Sequence, residues 1–213
     1  MSVGSQEPAI ALYVVVEVDA TAPQRVAAAV ASRAVQSVLI RAAPGAKLDA
    51  TTARPLVEAV QRAGIAAVLG GDARLARTLK ADGVHIPWSD DSAEVYAEAR
   101  EILGARAIVG AEAGPLRHDA MVMAEAGVDY VGFSAAEGED ARVLQAELVA
   151  WWGEIFQIPC VAFDVAGVED AAALADAGAD FIGLAPVRGE TVADFARRIA
   201  DCAAVVGSLG GRS

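Results

Sequence analysis

The feature that most constrains the fold of this chain is a strand–helix unit that recurs roughly every 25 residues. Short apolar runs rich in β-branched residues alternate with longer Ala-rich segments of helical spacing, and the junctions at residues 80–85, 126–132 and 177–183 are variants of one phrase. Strands that are apolar along their whole length are typical of a parallel sheet covered by helices. About eight such units close into a barrel more readily than they form an open sheet, so we predict an α/β fold, a TIM (β/α)₈ barrel.

The predicted elements follow from this alternation. The predicted strands cover residues 10–18, 37–41, 66–69, 83–86, 107–110, 129–133, 160–163 and 180–184. The predicted helices cover residues 22–34, 51–63, 73–80, 92–103, 117–126, 141–156, 168–177 and 191–206. Glycines stand where four of these helices must end, as a left-handed C-terminal residue would.

The chain shows no linker and no break in composition. We therefore expect a single domain over residues 1–213, with a short disordered N-terminus at about residues 1–8 and a C-terminal tail at about residues 207–213. The alternative, an open Rossmann-like sheet, requires a Gly-rich phosphate turn after an early strand. Residues 17–21, at the end of the first strand, contain no glycine, which favours the barrel.

The charge of the chain excludes two classes of partner. With 17 basic and 29 acidic residues the net charge is −12, which repels nucleic-acid phosphates and anionic lipid headgroups. The apolar stretch over residues 10–18 is interrupted by Glu17 and follows no basic segment, so we expect neither a signal peptide nor a membrane span. The prediction is a cytoplasmic protein with no nucleic-acid or membrane partner.

In a TIM barrel the active site lies at the C-terminal ends of the strands, so the residues at and just past each strand end are the candidates. We single out nine of them: Arg41, Asp72, His85, Trp88, Asp90, Glu112, Ser134, Asp164 and Arg188. Several carboxylates near one His and two Arg suit a hard divalent cation such as Mg²⁺. The alternative for each carboxylate is a solvated loop position, because so acidic a chain has carboxylates in most loops.

Six short phrases are distributed along the chain: L-Y-V-V at 12–15, A-D-G-V-H at 81–85, I-V-G at 108–110, G-V-D-Y-V-G at 127–132, I-P at 158–159 and A-G-A-D at 177–180. In their order and approximate spacing they resemble the thiamine phosphate synthase/TenI family. The resemblance extends over residues 11–198 and implies a TIM barrel. It also implies a reaction: either an aminopyrimidine pyrophosphate joins a thiazole phosphate with Mg²⁺ and releases pyrophosphate, or, in the TenI branch, the thiazole phosphate is aromatised.

The resemblance assigns roles to four positions. Arg41 matches an arginine that neutralises the pyrophosphate and His85 occupies the family's G-V-H position, so both are candidate catalytic residues. Asp90 matches one metal-binding aspartate, and Asp72 would replace the other if the loop after the third strand shifts. Trp88, at the barrel mouth, is a candidate for stacking on a flat heterocycle.

Other positions depart from the family. Glu112 replaces a serine, the lysine expected after Ser134 is absent, and Asp164 stands where the family has glycines that contact phosphate. Pro186 replaces a phosphate-binding serine and has no N–H to donate. Because the loss of one anion-stabilising group typically costs about 10²–10³ in rate, we predict that the family reaction is weak or lost. Arg188 is a candidate for a relocated anion contact, the alternative being a solvated loop arginine.

Three functions remain open on this reading. The first is a thiamine phosphate synthase-like protein, and the second is a non-catalytic barrel that binds a small heterocycle or a protein partner. The third is an enzyme with a changed, less phosphorylated substrate, for which Glu112 and Asp164 would select cationic or neutral groups. The expected partner is a small heterocycle or a phosphorylated ligand, bound by Trp88, Glu112, Ser134, Asp164 and Arg188, and a homodimer is left open.

Overall fold

The structure, a computed structural model, describes residues 10–114, 116–135 and 140–209. Eight parallel strands close into a barrel in chain order, because β1 pairs with both β2 and β8. The strands are β1 Ala11–Val18, β2 Val35–Ala42, β3 Ala66–Gly70, β4 Gly83–Ile86, β5 Ile108–Glu112, β6 Tyr130–Phe133, β7 Cys160–Ala162 and β8 Phe181–Leu184. The helices are α1 Ala22–Ala31, α2 Ala50–Arg62, α3 Ala73–Leu79, α4 Ser92–Leu103, α5 Arg117–Ala126, α6 Ala141–Ile155, α7 Val168–Asp176 and α8 Val192–Leu209. The predicted TIM barrel is confirmed.

The observed boundaries differ from the predicted ones at a few ends. β2 begins earlier than predicted, at Val35, because it pairs with nearly the whole of the long β1. β7 ends before Phe163, which lies at the mouth of the barrel. α8 continues to Leu209, past its predicted end. Residues 1–8 and 210–213 lie outside the described residues, so the expected disorder at the N-terminus stays a prediction.

The strands bury both of their faces, which explains why they read as continuous apolar runs. On β1, Leu12, Val14 and Val16 point outward and pack beneath the helices, while Tyr13 and Val15 point into the barrel. The inner cluster consists of Tyr13, Val15, Leu39, Val68, Tyr130, Val161 and Phe163. The barrel interior is therefore filled by side chains, three of them aromatic.

The repeated phrase of the sequence has a structural role at the opposite end of the barrel. In each copy an aspartate just before one strand accepts a backbone N–H from the preceding strand. Asp82, Asp129 and Asp180 accept from Ala67, Val109 and Cys160 at 2.8, 2.7 and 2.8 Å. These hydrogen bonds tie β3 to β4, β5 to β6 and β7 to β8 where the strands begin, far from the site at their C-terminal ends.

The helices cover the barrel with one apolar side each. α8, the longest, buries Phe195, Ile199, Cys202 and Val206, a spacing that places them on one face. Within the described residues, no helix combines the length and the apolar character needed to cross a membrane.

Candidate functional site

A cavity of about 360 Å³ opens at the C-terminal ends of the strands. Each of the eight strands, or the segment directly after it, contributes to the lining, and the volume lies in the range of small-molecule sites. Six of the nine predicted site residues line it: Arg41, His85, Trp88, Glu112, Ser134 and Asp164. The position expected for the site of a TIM barrel is thus occupied by a cavity that gathers most of the candidate side chains.

A chain of polar contacts lies at the floor of this cavity. The hydroxyl oxygens of Tyr13 and Tyr130 are 2.7 Å apart, and the Tyr130 oxygen lies 2.9 Å from His85 Nδ1. On the other side of the ring, His85 Nε2 lies 3.3 Å from Glu112 Oε2. The His85 side chain is only 8 % exposed. The chain therefore connects the interior of the barrel to a carboxylate that lines the cavity.

The available partners determine the direction of these hydrogen bonds. Among the described residues, the Tyr13 hydroxyl has Tyr130 as its only hydrogen-bond partner. Both hydroxyl protons have an acceptor only if Tyr13 donates to Tyr130 and Tyr130 donates to His85 Nδ1, which leaves the ring proton of His85 on Nε2. Burial is the main reason that the pKa of each tyrosine lies far above its ordinary value, so both keep their protons as donors.

Two glycines make room for the side chains of Tyr130, Glu112 and Phe163 at the floor of the cavity. A Cβ added to Gly110 on β5 would lie 2.1 Å from the ring of Tyr130. A Cβ added to Gly132 on β6 would lie 2.8 Å from Glu112 Oε2 and 2.6 Å from the ring of Phe163. Neither position can carry a side chain without displacing the groups that form the floor.

Among the described residues, Glu112 is the one member of this network with an unsatisfied buried atom. Its Oε1 is buried and has no hydrogen-bond partner in that part of the chain, while Oε2 faces the imidazole of His85. Within the described residues no Arg or Lys lies within ion-pair distance of Glu112. A buried acceptor without a donor costs about 1–3 kcal/mol, more when it is charged. One oxygen of this carboxylate therefore lacks a donor among the described residues, while the other faces His85.

Arg41 is already paired. Its Nη2 lies 2.8 Å from Glu17 Oε1, because β1 and β2 place these two residues opposite each other. The arginine lies over Gly70 on β3, where an added Cβ would be 2.9 Å from Arg41 Cβ. The positive charge that Arg41 brings to the cavity is therefore largely offset by a neighbouring carboxylate.

In the loop after β7, Asp164 stands where the resemblance expects a glycine, and its backbone has a conformation that favours glycine. Asp164 has a φ of 58°, in the left-handed region that favours glycine. The next backbone N–H groups are engaged inside the protein: Val165 donates to the carbonyl of Gly183 at 3.2 Å, and Ala166 donates to Asp170 Oδ2 at 3.0 Å. A side-chain carboxylate thus faces the cavity, and the N–H groups behind it are already used.

In the loop after β8, too, a backbone N–H group is already hydrogen-bonded within the protein. The N–H of Val187 donates to Glu190 Oε2 at 3.0 Å, and Arg198 pairs with the same carboxylate at 2.8 Å. Pro186 has no N–H. Arg188 is exposed on this loop and does not line the cavity. The predicted relocated contact from Arg188 therefore has no support in this geometry.

The two predicted metal ligands do not line this cavity, and they line two different ones. Asp72 caps α3 by accepting the N–H of Leu75 at 2.8 Å and lines a cavity with Arg74 and Glu98. Asp90 lines another cavity, between α4 and α5. Among the described residues no three carboxylate, imidazole or thiol groups could hold a metal ion together. The described residues therefore supply no set of three protein ligands for the Mg²⁺ that the resemblance implies, and a Mg²⁺ site stays a prediction.

Sequence reasoning missed Tyr13 and Tyr130 as members of the site. Both lie in phrases that carry the family resemblance, and Tyr13 shares the inward face of β1 with Val15. That alternation is a usable signal, but β1 is apolar on both faces. Which face points into the barrel was therefore not readable from the sequence.

Comparison with known proteins identifies a family model and several relatives to which this chain is similar. The chain matches the family model described as thiamine monophosphate synthase over residues 12–187. It is 39 % identical over 141 residues to the thiamine-phosphate synthase of Erythrobacter litoralis, covering 63 % of this chain and 65 % of the relative. It is 40 % identical over 135 residues to that of Rhodospirillum centenum, covering 62 % of each chain. The aligned part thus spans less than two thirds of these relatives.

Among solved structures, the chain is similar to the thiamine phosphate pyrophosphorylase from Pyrococcus furiosus. The TM-score is 0.77 at 22 % identity, and the alignment covers 95 % of this chain and 98 % of the other. It is also similar to tryptophan synthase of Mycobacterium tuberculosis, with a TM-score of 0.68 at 18 % identity over 96 % of this chain and 92 % of the other. At these identities the likeness describes the barrel fold alone.

Proposed function

Because this chain belongs to the thiamine monophosphate synthase family, we propose that it acts in thiamine biosynthesis as a thiamine phosphate synthase-like protein whose cavity binds a small heterocycle. We propose further that it performs the family's coupling of an aminopyrimidine pyrophosphate with a thiazole phosphate weakly or not at all. The proposal also assigns the protein to the cytoplasm, a reducing compartment in which the two buried free thiols, Cys160 and Cys202, would persist.

The proposal of a weak reaction rests on the backbone N–H groups of the loops after β7 and β8, where many TIM barrels bind phosphate. The N–H groups of Val165, Ala166 and Val187 donate to acceptors of the chain itself. Asp170 and Glu190 supply two of these acceptors, so carboxylates of the protein take hydrogen bonds that a phosphate would need. A phosphate entering here would have to displace them and pass Asp164.

Two arginines, Arg198 on α8 and Arg41 on β2, support the same conclusion. Arg198 is bound to Glu190, and Arg41 is bound to Glu17. A pyrophosphate leaving group is stabilised by unpaired cations and preorganised donors, and the loss of each typically costs about 10²–10³ in rate. Paired arginines would have to exchange a carboxylate partner for the phosphate. This argument needs no metal ion, and binding of Mg²⁺ stays a prediction.

The cavity itself still favours a flat, weakly polar ligand. Val15, Leu39 and Phe163 provide apolar walls, and Trp88 stands at the rim with 46 % of its surface exposed. An exposed indole beside a cavity gains by stacking on a heterocycle. Apolar walls with a few polar groups at one end are the common composition of a small-molecule site.

The test is a direct assay of thiamine phosphate formation from the aminopyrimidine pyrophosphate and the thiazole phosphate, with and without Mg²⁺. The Rhodospirillum centenum relative is the positive control. We expect a rate at least about 10⁴-fold below the control, since at least two anion-stabilising groups are missing. A normal rate would contradict the predicted loss, whereas no binding of any heterocycle, phosphorylated or not, would contradict the proposed function as a whole.

A double variant sharpens this test. Asp164→Gly together with Glu112→Ser removes two carboxylates and restores the residue types that the family resemblance expects at these positions. We expect the double variant to bind inorganic pyrophosphate more tightly than the wild type, because two repulsive charges are gone. As a control, Glu101→Gln with Glu94→Gln changes the net charge equally on the outer helix α4 and should leave pyrophosphate binding unchanged.

A further inference from the structure

The carboxylate of Glu112 lacks a cation. Its only charged or potentially charged neighbour within ion-pair distance, among the described residues, is His85, at 3.3 Å. The hydrogen bonds from Tyr13 through Tyr130 reach His85 Nδ1 as an acceptor, which makes the imidazole neutral. No cation among the described residues therefore compensates the negative charge of Glu112. The Glu112 side chain is 17 % exposed and lies in the wall of the cavity.

The other charges at the cavity do not compensate it. Asp164 adds a second carboxylate to the lining, and Arg41, the one cation among the described lining residues, is engaged by Glu17. The described lining is thus net negative. Phosphorylated ligands are repelled by such a field, and small cations are attracted to it.

We propose that this cavity takes a small planar cation that carries N–H donors and no phosphate, and that Glu112 is the residue that selects it. The inference rests on the proposed function, since it concerns the same cavity, and it names the class of ligand. The ligand's N–H group would donate to the Glu112 carboxylate, which the resemblance places where the family has a serine. The neutral His85 would position that carboxylate from behind.

The geometry accommodates such a ligand. The terminal torsion of a glutamate is soft, so rotation of the carboxylate can bring the oxygen that is now buried without a donor toward the cavity. The apolar walls leave room for a flat ring, and the exposed face of Trp88 at the rim offers a cation–π contact. A ligand cation would satisfy the acceptor that the described residues leave unpaired.

The experiment compares two probes of nearly the same shape. The 4-aminopyridinium ion is a planar cation with N–H donors, and 4-methylpyridine is largely neutral and lacks an N–H donor. Binding to the full chain is measured by ligand-observed NMR titration at neutral pH in about 0.15 M salt, which screens the long-range attraction of the acidic surface. We expect the cation to bind at least about tenfold more tightly, since a hydrogen bond to a charged group is worth that much.

The variant Glu112→Gln keeps the shape and removes the charge, so the preference for the cation should disappear. Glu101→Gln removes an exposed carboxylate on α4 and should retain the preference. Should Glu112→Gln not fold, the ¹⁵N resonances of the His85 ring in the wild type decide: the cation must shift them more than 4-methylpyridine does.

Equal affinity of the wild type for both probes, or a preference that survives in Glu112→Gln, would overturn the inference. Its failure is distinguishable from that of the proposed function. A protein that binds the phosphorylated heterocycles but not the cation contradicts only the inference. A protein that binds neither contradicts both.

Discussion

Arg198 holds the carboxylate of Glu190 at two points, with Nε donating to Oε1 and Nη2 donating to Oε2, each at 2.8 Å. Arg198 also donates to the backbone carbonyls of Val165 at 3.0 Å and Ala185 at 2.7 Å. One guanidinium on α8 thus joins the loops after β7 and β8 beneath the cavity. Both side chains are nearly buried, at 11 % and 10 % exposure.

Removal of this guanidinium should be costly. Arg198→Ala would leave the Glu190 carboxylate without its cation in a nearly buried position, so we expect a loss of about 3 kcal/mol in the free energy of unfolding. The neighbouring Arg197 provides the control, because its pair with Asp194 is exposed. Arg197→Ala should cost less than about 1 kcal/mol. Urea unfolding of both variants checks the difference, and equal losses would contradict a structural role for the Arg198 pair.

The same pair predicts a dependence of stability on pH. Burial opposes ionisation of Glu190, but hydrogen bonds from Arg198 and the N–H of Val187 outweigh it and lower the pKa of the carboxyl below its ordinary 4.5. A carboxyl with a depressed pKa in the folded state stabilises the protein above its unfolded pKa, and that contribution is lost as the pH falls through the folded pKa. The stability advantage of the wild type over Glu190→Gln should therefore be constant near neutral pH and shrink below pH 4.5. Unfolding curves at a series of pH values measure it, and an advantage that persists in acid would contradict the assignment.

The backbone at Asp164 predicts an unusual order of substitutions. Its φ of 58° is strained for most residues and strain-free for glycine. Asp164→Gly should change the free energy of unfolding by less than about 1 kcal/mol, because relief of strain offsets the greater freedom of glycine in the unfolded chain. Asp164→Val should lose about 1–2 kcal/mol, since a β-branched residue fits this region poorly. Thermal unfolding that showed valine to be as stable as glycine would refute the left-handed conformation.

The contact between Gly110 and Tyr130 predicts a sharp steric effect. In Gly110→Ala the new methyl group would lie 2.1 Å from the buried ring, so the tyrosine must move and its hydrogen bond to His85 must lengthen or break. We expect a loss of about 1–3 kcal/mol or more. Gly153→Ala on α6 is the matched control, because nothing lies closer than 3.8 Å to its added Cβ. There the higher helix propensity of alanine should leave stability unchanged or increase it by up to about 1 kcal/mol. Equal effects at both positions would contradict close packing of Tyr130.

The extent to which sequence alone predicts the site follows from the geometry of a barrel. Strand ends are visible as the ends of apolar runs, and all strand ends of one sense meet at one rim, so Arg41, Glu112 and Asp164 were predicted as neighbours without knowledge of distances. An aspartate before a helix serves equally well as a cap, which is the role that the structure shows for Asp72, so its part in metal binding stays a prediction.

The alternation of apolar runs and Ala-rich segments was enough to determine the barrel, because eight strands buried on both faces have few other ways to cover themselves. The chain's acidity was equally evident from its composition. Only the tertiary structure decided which partner each donor and acceptor has. The pairing of Arg41 with Glu17, the use of the loop N–H groups by Asp170 and Glu190, and the unpaired oxygen of Glu112 all depend on distances between segments far apart in the chain. Hydrogen bonds and ion pairs are short-ranged and directional, so they are determined by how the strands and loops pack and not by the order of residues along them.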